Sequence, residues 1–336
     1  MACCDQIPGG TAHVTVSELY QFSVDLCRGL DPRGDDALSA RLAELAGEYG
    51  FLDGAARDAF DAARLTNPFG DTRIVCGAPE REVRRLICGI DIDATEVLLA
   101  DRLADHGRPV DLVVAHHASA IGGALGSRRD TIWPQVKLLT DFGVPEHRAH
   151  KLVRRAAGAG EERSSNHKIN QVAEALGMPL MTIHSPADIL VHHEGQSLLS
   201  RRKPQTVGDL VALCDEWPEV RWLVSRGVGT RIAVGDEADP LGRVYACFYG
   251  GWNPTGEVVE ALCDAGCGTL WVVATNEGLN EVARRRDLSV VVVPHHPADN
   301  VGLNLLWDRA MDRFGDFEIV PASNFVRFDR RSGGMG

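Results

Sequence analysis

The sequence predicts an α/β protein of two related α/β domains behind a helical N-terminal extension. Three observations carry that prediction. Short apolar runs, Asp111-Leu-Val-Val-Ala115, Pro179-Leu-Met-Thr-Ile183 and Val290-Val-Val-Val-Pro294, read as buried strands of about five residues, because unbroken apolarity marks a strand covered on both faces. Stretches of helical periodicity separate the strand-like runs, as βαβ units require. A pentapeptide of the form His-x-Pro-Ala-Asp occurs twice, at His184–Asp188 and His295–Asp299, each directly after one of these runs. The repeat suggests that the two halves are distant copies of one unit.

Residues 14–66 carry apolar positions at helical spacing, as in Ala37-Leu-Ser-Ala-Arg-Leu-Ala-Glu-Leu-Ala46, and Asn67-Pro-Phe-Gly70 closes them with a turn. Residues 1–70 are therefore expected as a helical extension covering the rest. The first α/β domain is placed at 71–202. It holds a strand at Arg73–Gly77, a strand within 83–93 that ends acidic, a helix from Ala94 to His106, the strand 111–115, a mostly helical stretch from about Trp133 to Leu176, and the strand 179–183. Lys203-Pro-Gln-Thr206 marks a boundary, and Thr206 is a candidate helix cap. The second domain, 203–330, is expected to hold strands near 231–234, 243–249, 269–274 and 289–293. Helices are expected at 257–265, at 279–286 and from Val301, and two terminal strands at Phe317–Val320 and Phe325–Phe328.

Composition narrows the function. The chain has 336 residues, 24% charged and 44% apolar, within the range of ordinary globular domains. Thirty-five basic against 47 acidic residues give a net charge of −12, which argues against a nucleic-acid or anionic-membrane surface. No apolar run approaches the roughly 20 residues that span a bilayer. The start, Met-Ala-Cys-Cys-Asp-Gln, shows neither a basic nor an apolar region, so no signal peptide is expected and the cytoplasm is the default location. The nine cysteines are scattered and lack CxxC spacing, which speaks against a disulfide framework or a zinc ribbon.

The chemistry gathers at strand ends, where open α/β sheets place their sites. The first run ends on His116 and His117, the second on His184 and Asp188, the third on His295 and Asp299. Imidazole plus carboxylate at three strand ends suits a dinuclear divalent-metal site, with hydrolysis as its chemistry. Alternatives stand beside each residue. The His116–His117 pair suits surface or capped histidines as well as ligands. The proline of each pentapeptide suggests a tight turn that aims both side chains inward, while Asp188 and Asp299 also suit helix N-caps. Asp91 and Asp93 fit either groups that orient ligands or plain turn residues. His192 and His193 fit an exposed strand or turn, and His147, His150 and His167 a solvated helix face. No GxSxG elbow, Walker loop or GxGxxG before a helix is present.

At these residues the chain resembles the NIF-three-like family (NGG-one-interacting factor three), also known as GTP cyclohydrolase type 2-like dinuclear metal proteins. Asp111-Leu-Val-Val-Ala-His-His117 is similar to the family's strand ending in His-His, His184-Ser-Pro-Ala-Asp188 to its His-Thr-x-x-Asp, and His295-His-Pro-Ala-Asp-Asn-Val-Gly-Leu303 to its late His-x-x-x-Glu with Gly-Leu. Asp71-Thr-Arg-Ile74, Gly89-Ile-Asp91, Gly143-Val-Pro145 and Gly302-Leu-Asn-Leu305 follow the order of the family's longer branch, so the likeness covers about residues 55–330. The chain departs from the family at Ala118-Ser119, where Pro and an acidic residue are usual, at Pro294 in place of Gly, and at Asp299, where shorter members carry Glu.

The resemblance implies a metal site in the inter-domain cleft, with His116, His117, Asp188, His295 and Asp299 as ligands and His184 close by. As a mechanism, two divalent ions (zinc, iron or manganese, by the nitrogen and oxygen ligand set) bridged by Asp188 are expected, with Asp91, His184 or His192 moving protons. A small nucleotide-like or heterocyclic substrate, hydrolysed by metal-activated water, and a homo-oligomer are expected. The alternative is a non-catalytic metal carrier or regulatory scaffold.

Overall fold

A computed structural model describes residues 14–117, 131–158 and 167–331. Residues 1–13 of the extension, the Ala118-Ser119 departure and much of the break expected near 156–160 lie outside these. The described residues form two sheets. The first has strands β1 (Arg73–Cys76), β2 (Arg85–Gly89), β3 (Leu112–Ala115), β4 (Leu180–Thr182) and β9 (Glu318–Ala322), in the order β1-β4-β3-β2-β9. The second has β5 (Arg231–Val234), β6 (Arg243–Cys247), β7 (Cys267–Val272) and β8 (Ser289–Val292), in the order β5-β8-β7-β6.

The two sheets repeat one plan. β2, β3 and β4 run parallel, as do β6, β7 and β8. In each sheet the first strand lies antiparallel on the fourth, with a register irregularity at Ile74/Cys76 and again at Ile232/Val234. The fourth strand then feeds a long helix, Ser185–Arg202 or His295–Phe314. The buried apolar strands β3, β4 and β8 answer to covering on both faces. β9 departs from the plan: it comes from the C-terminal half but pairs in parallel with β2 of the first sheet.

The helical N-terminus is built into the core. Thr15 and Glu18 form a capping box that starts the helix Val16–Arg28. Its Val16, Leu19, Val24 and Cys27 are buried with Leu86, Leu112 and Met181 of the first sheet, and the Cys27 thiol donates to the Pro186 carbonyl. Helices Asp35–Gly50 and Gly54–Asp58 follow further out.

Three local expectations change. The His-x-Pro-Ala-Asp segments are helix N-termini rather than tight turns: His184 is the N-cap of one helix and His295 the first residue of the other, which begins six residues ahead of Val301. Proline is tolerated there because first-turn N–H groups have no partner within the helix. His192 and His193 lie inside the helix Ser185–Arg202, not in a strand or turn. Phe325–Phe328 is not a strand. Its backbone is tied instead to one face of the helix His295–Phe314. Val326 N donates to Asn300 Oδ1 (2.6 Å), Phe328 N to Asn304 Oδ1 (3.0 Å) and Arg330 N to Asp308 Oδ2 (3.0 Å). Residues four apart share a helix face, so these three side chains stand in for a neighbouring strand.

The two long helices pack on each other with their backbones nearly touching. A Cβ built on Gly302 would lie 2.1 Å from the Ala187 carbonyl oxygen. Only glycine permits that approach, so Gly302→Ala is expected to cost about 2–3 kcal/mol or more through overpacking. Urea denaturation checks this; a variant within about 0.5 kcal/mol of the parent would show that the crossing relaxes freely.

Candidate metal centre

Three strand ends and two helix N-termini converge where the long helices meet. β3 delivers His116 and His117. The helix after β4 delivers His184 and Asp188, and the helix after β8 delivers His295 and Asp299. Spacing of four residues puts each His–Asp pair on one helix face. Within the first pair His184 Nδ1 lies 3.6 Å from Asp188 Oδ2, and within the second His295 Nε2 lies 3.5 Å from Asp299 Oδ2.

The cross-contacts decide how the site is built. His116 Nε2 is 3.6 Å from Asp188 Oδ1 and 3.7 Å from Asp299 Oδ1, while His117 Nε2 is 3.4 Å from Asp299 Oδ2. These separations are too long for hydrogen bonds. They match two ligands sharing an ion: at about 2.1 Å from a tetrahedral metal, ligand atoms lie roughly 3.4 Å apart. Among the described residues, three groups have ligand atoms close enough together for a shared metal ion: His116/His117/His184, His117/His295/Asp299, and His116/Asp188/Asp299. All five residues expected as ligands appear in them.

The hydrogen bonds point the same way. His116 Nδ1 lies 3.1 Å from the Ile183 carbonyl, His117 Nδ1 2.7 Å from Asp91 Oδ1, and His184 Nδ1 2.8 Å from Asp71 Oδ2. An oxygen acceptor on Nδ1 fixes the tautomer that leaves Nε2 free for a metal, the arrangement usual for ligating histidines. His116 Nε2 and Asp299 Oδ2 are buried and have no hydrogen-bond partner among the described residues. Leaving such atoms unmatched costs about 1–3 kcal/mol each, so a cation suits them.

The two carboxylates differ. Asp188 Oδ2 accepts from the backbone N–H groups of Gly250 (2.8 Å) and Gly251 (3.3 Å), leaving Oδ1 toward His116. Asp299 splits its oxygens, Oδ1 toward His116 and Oδ2 toward His117 and His295. Burial pushes the Asp188 carboxyl above the usual carboxylate range, against the pull of His184 and His116. Burial would do the same to Asp299, but His116, His117 and His295 outweigh it and hold that carboxyl far below the range. For Asp71 the penalty of burial is likewise overcome by His184 and Ser185, so its carboxyl is lowered.

Beside these groups lies a cavity of about 250 Å³, lined on one side by His117, His184, Asp188, His295 and Asp299. Phe248, Val191, Val273 and Ala298 line it as well, with Trp252 and Asn253.

Two contributors carry no sequence signal of their role. Asp71 is buried, bonds His184 and also accepts from Ser185 Oγ (3.0 Å). The Gly250-Gly251 turn aims successive N–H groups at Asp188; both glycines have positive φ, 84° and 56°, a conformation glycine adopts freely. Asp91 joins His117 to His296 (3.1 Å) and Asn324 (2.9 Å), and so orients a candidate ligand. Asp93 caps the helix Ala94–Asp105. His192 is not brought in: it does not line the cavity and joins none of the three groups.

No family model and no curated protein matches the chain. Among solved structures, it is similar to a NIF3 superfamily protein from Sphaerobacter thermophilus, with a TM-score of 0.66 and 24% identity over 85% of this chain and 98% of that one. The chain therefore has the fold of that NIF3 superfamily structure. Weaker likenesses are to reduced HcgD from Methanocaldococcus jannaschii (TM-score 0.47, 10% identity, 84% of this chain and 96% of that one) and a Bacillus cereus protein related to NIF3 (0.46, 10%, 95% and 99%). No helix among the described residues is long and apolar enough to cross a membrane.

Burial, with the neighbouring His193, pushes the His192 ring down to about 4, and its Nδ1 has no hydrogen-bond partner among the described residues. Between about pH 6.5 and 4 the unfolded chain therefore binds a proton that the folded chain refuses. Stability contributed by this residue is present above pH 6.5 and falls as pH drops through that window. Thermal unfolding of His192→Leu across pH 4–8 should show a shallower acid-side loss than the parent; parallel curves would refute the assignment.

Proposed function

We propose that the chain holds two divalent metal ions, zinc, iron or manganese, and uses them to hydrolyse a small nucleotide-like or heterocyclic substrate. The observation that carries this reading is the divided carboxylate of Asp299, with one oxygen toward His116 and the other toward His117 and His295. His117, His295 and Asp299 Oδ2 would hold one ion, and His116, Asp188 Oδ1 and Asp299 Oδ1 the other. Asp299 thus replaces Asp188 as the proposed bridge, because the Gly250-Gly251 turn already occupies one Asp188 oxygen.

Bound divalent ions of this kind lower the pKa of a coordinated water to near 7 and polarise a carbonyl or phosphoryl oxygen. The chain's own groups supply the rest. Asp91 and Asp71 fix the rings of His117 and His184. His184 lines the cavity and is the residue proposed to hold or pass a proton there; Asp91, bonded on both oxygens, serves to orient. The Gly250-Gly251 turn holds Asp188 in place. The cavity beside the ligands favours an enzyme over a carrier, since a carrier has no use for a substrate-sized space.

Elemental analysis of purified protein should find about two metal equivalents per chain, falling to about one in His116→Ala or Asp188→Ala and close to none in Asp299→Ala. Undiminished metal in Asp299→Ala would sink this reading. A hydrolysis screen should show activity lost with the metal and regained on its return.

A further inference from the structure

The cavity itself restricts the substrate, given the metal-centre reading above. Its volume is about 250 Å³. It lies below the roughly 300–1,000 Å³ typical of sites for drug-sized ligands. A single small ring fits within such a space, and the phosphates of a nucleotide would have to extend toward its mouth.

The lining divides chemically. Phe248, Val191, Val273 and Ala298 form an apolar wall, which takes a flat, weakly polar face. Three lining residues are carboxylates, Asp71, Asp188 and Asp299, and none among the described residues is a lysine or arginine. Beyond the proposed metals, the described lining thus offers a phosphate no cationic side chain of the kind such sites ordinarily draw on, above all arginine. The neutral polar side chains of the lining include Thr131, Trp252 and Asn253. Asn253 is exposed, lines the cavity, and makes no side-chain hydrogen bond among the described residues. Its carboxamide offers two donors and an acceptor in one plane, the complement of the N–H and C=O edge of an amide.

We propose that this pocket selects a small uncharged cyclic amide, its edge paired with the Asn253 carboxamide and its ring against the Phe248–Val273 wall, in preference to a phosphorylated nucleotide. Asn253 is then a specificity-determining residue, and Val273 sets the room available.

Isothermal titration of the metal-loaded protein tests this, with hydantoin as the neutral probe and pyrophosphate and GMP as the anionic ones. Metal content and thermal midpoint are measured on every sample. Hydantoin should bind at least tenfold more tightly than either anion. Asn253→Ala and Val273→Phe should each weaken it about tenfold with metal content and midpoint unchanged. Tighter binding of pyrophosphate or GMP, no hydantoin binding, or unaltered hydantoin affinity in Asn253→Ala would overturn the proposal while leaving the metal centre standing. A protein that takes up no metal would instead overturn the reading beneath it, and this proposal with it.

Discussion

The close crossing of two helices is the constraint on which the rest depends. Where Gly302 meets the Ala187 carbonyl, the helices Ser185–Arg202 and His295–Phe314 come as near as backbones can. Each helix starts at the end of the last strand of its own sheet, and each carries a histidine and an aspartate on its first turns. Ala187 adjoins Asp188, and Gly302 lies one turn beyond Asp299. The contact therefore sits immediately behind the carboxylates and sets their separation. A wider crossing would leave His116 between two acids too far apart to share one ion with it.

The convergence is electrostatically expensive. Asp71, Asp188 and Asp299 are all buried within the same few residues as His116. Unpaired buried charge is strongly destabilising. Asp71 is answered by His184 and Ser185, and Asp188 in part by the Gly250-Gly251 turn. Asp299 Oδ2 and His116 Nε2 are left without a hydrogen bond. Other buried polar atoms also lack partners, but only these two lie among converging imidazoles and carboxylates, where a cation would answer both. Whatever cation binds there would stabilise the folded chain by mass action as well as equip it for chemistry.

Segments remote in sequence complete the site. The turn at Asn67–Asp71 sends a carboxylate to His184, and the helix Val16–Arg28 is buried in the core of the first sheet. The C-terminal stretch is tied to Asn300, Asn304 and Asp308, and its Asn324 reaches back to Asp91, which holds His117. β9 closes the first sheet from the far end of the chain. Segments near both ends of the described chain thus brace the candidate ligands.

By itself the sequence determined the strand cores, because unbroken runs such as Val290–Val293 bury both faces wherever they occur. It also marked the candidate ligands and the duplicated plan, since the His-x-Pro-Ala-Asp spacing survives in both halves. It left open whether those pentapeptides were turns or helix starts, because proline suits both. Only the tertiary structure decided that Asp299 divides its oxygens while Asp188 is held by a glycine turn 62 residues away, and that Asp71 orients a histidine 113 residues on. The physical reason is that periodicity reports which face a residue occupies, whereas the direction of a carboxylate oxygen depends on partners that the chain brings close only once it has folded.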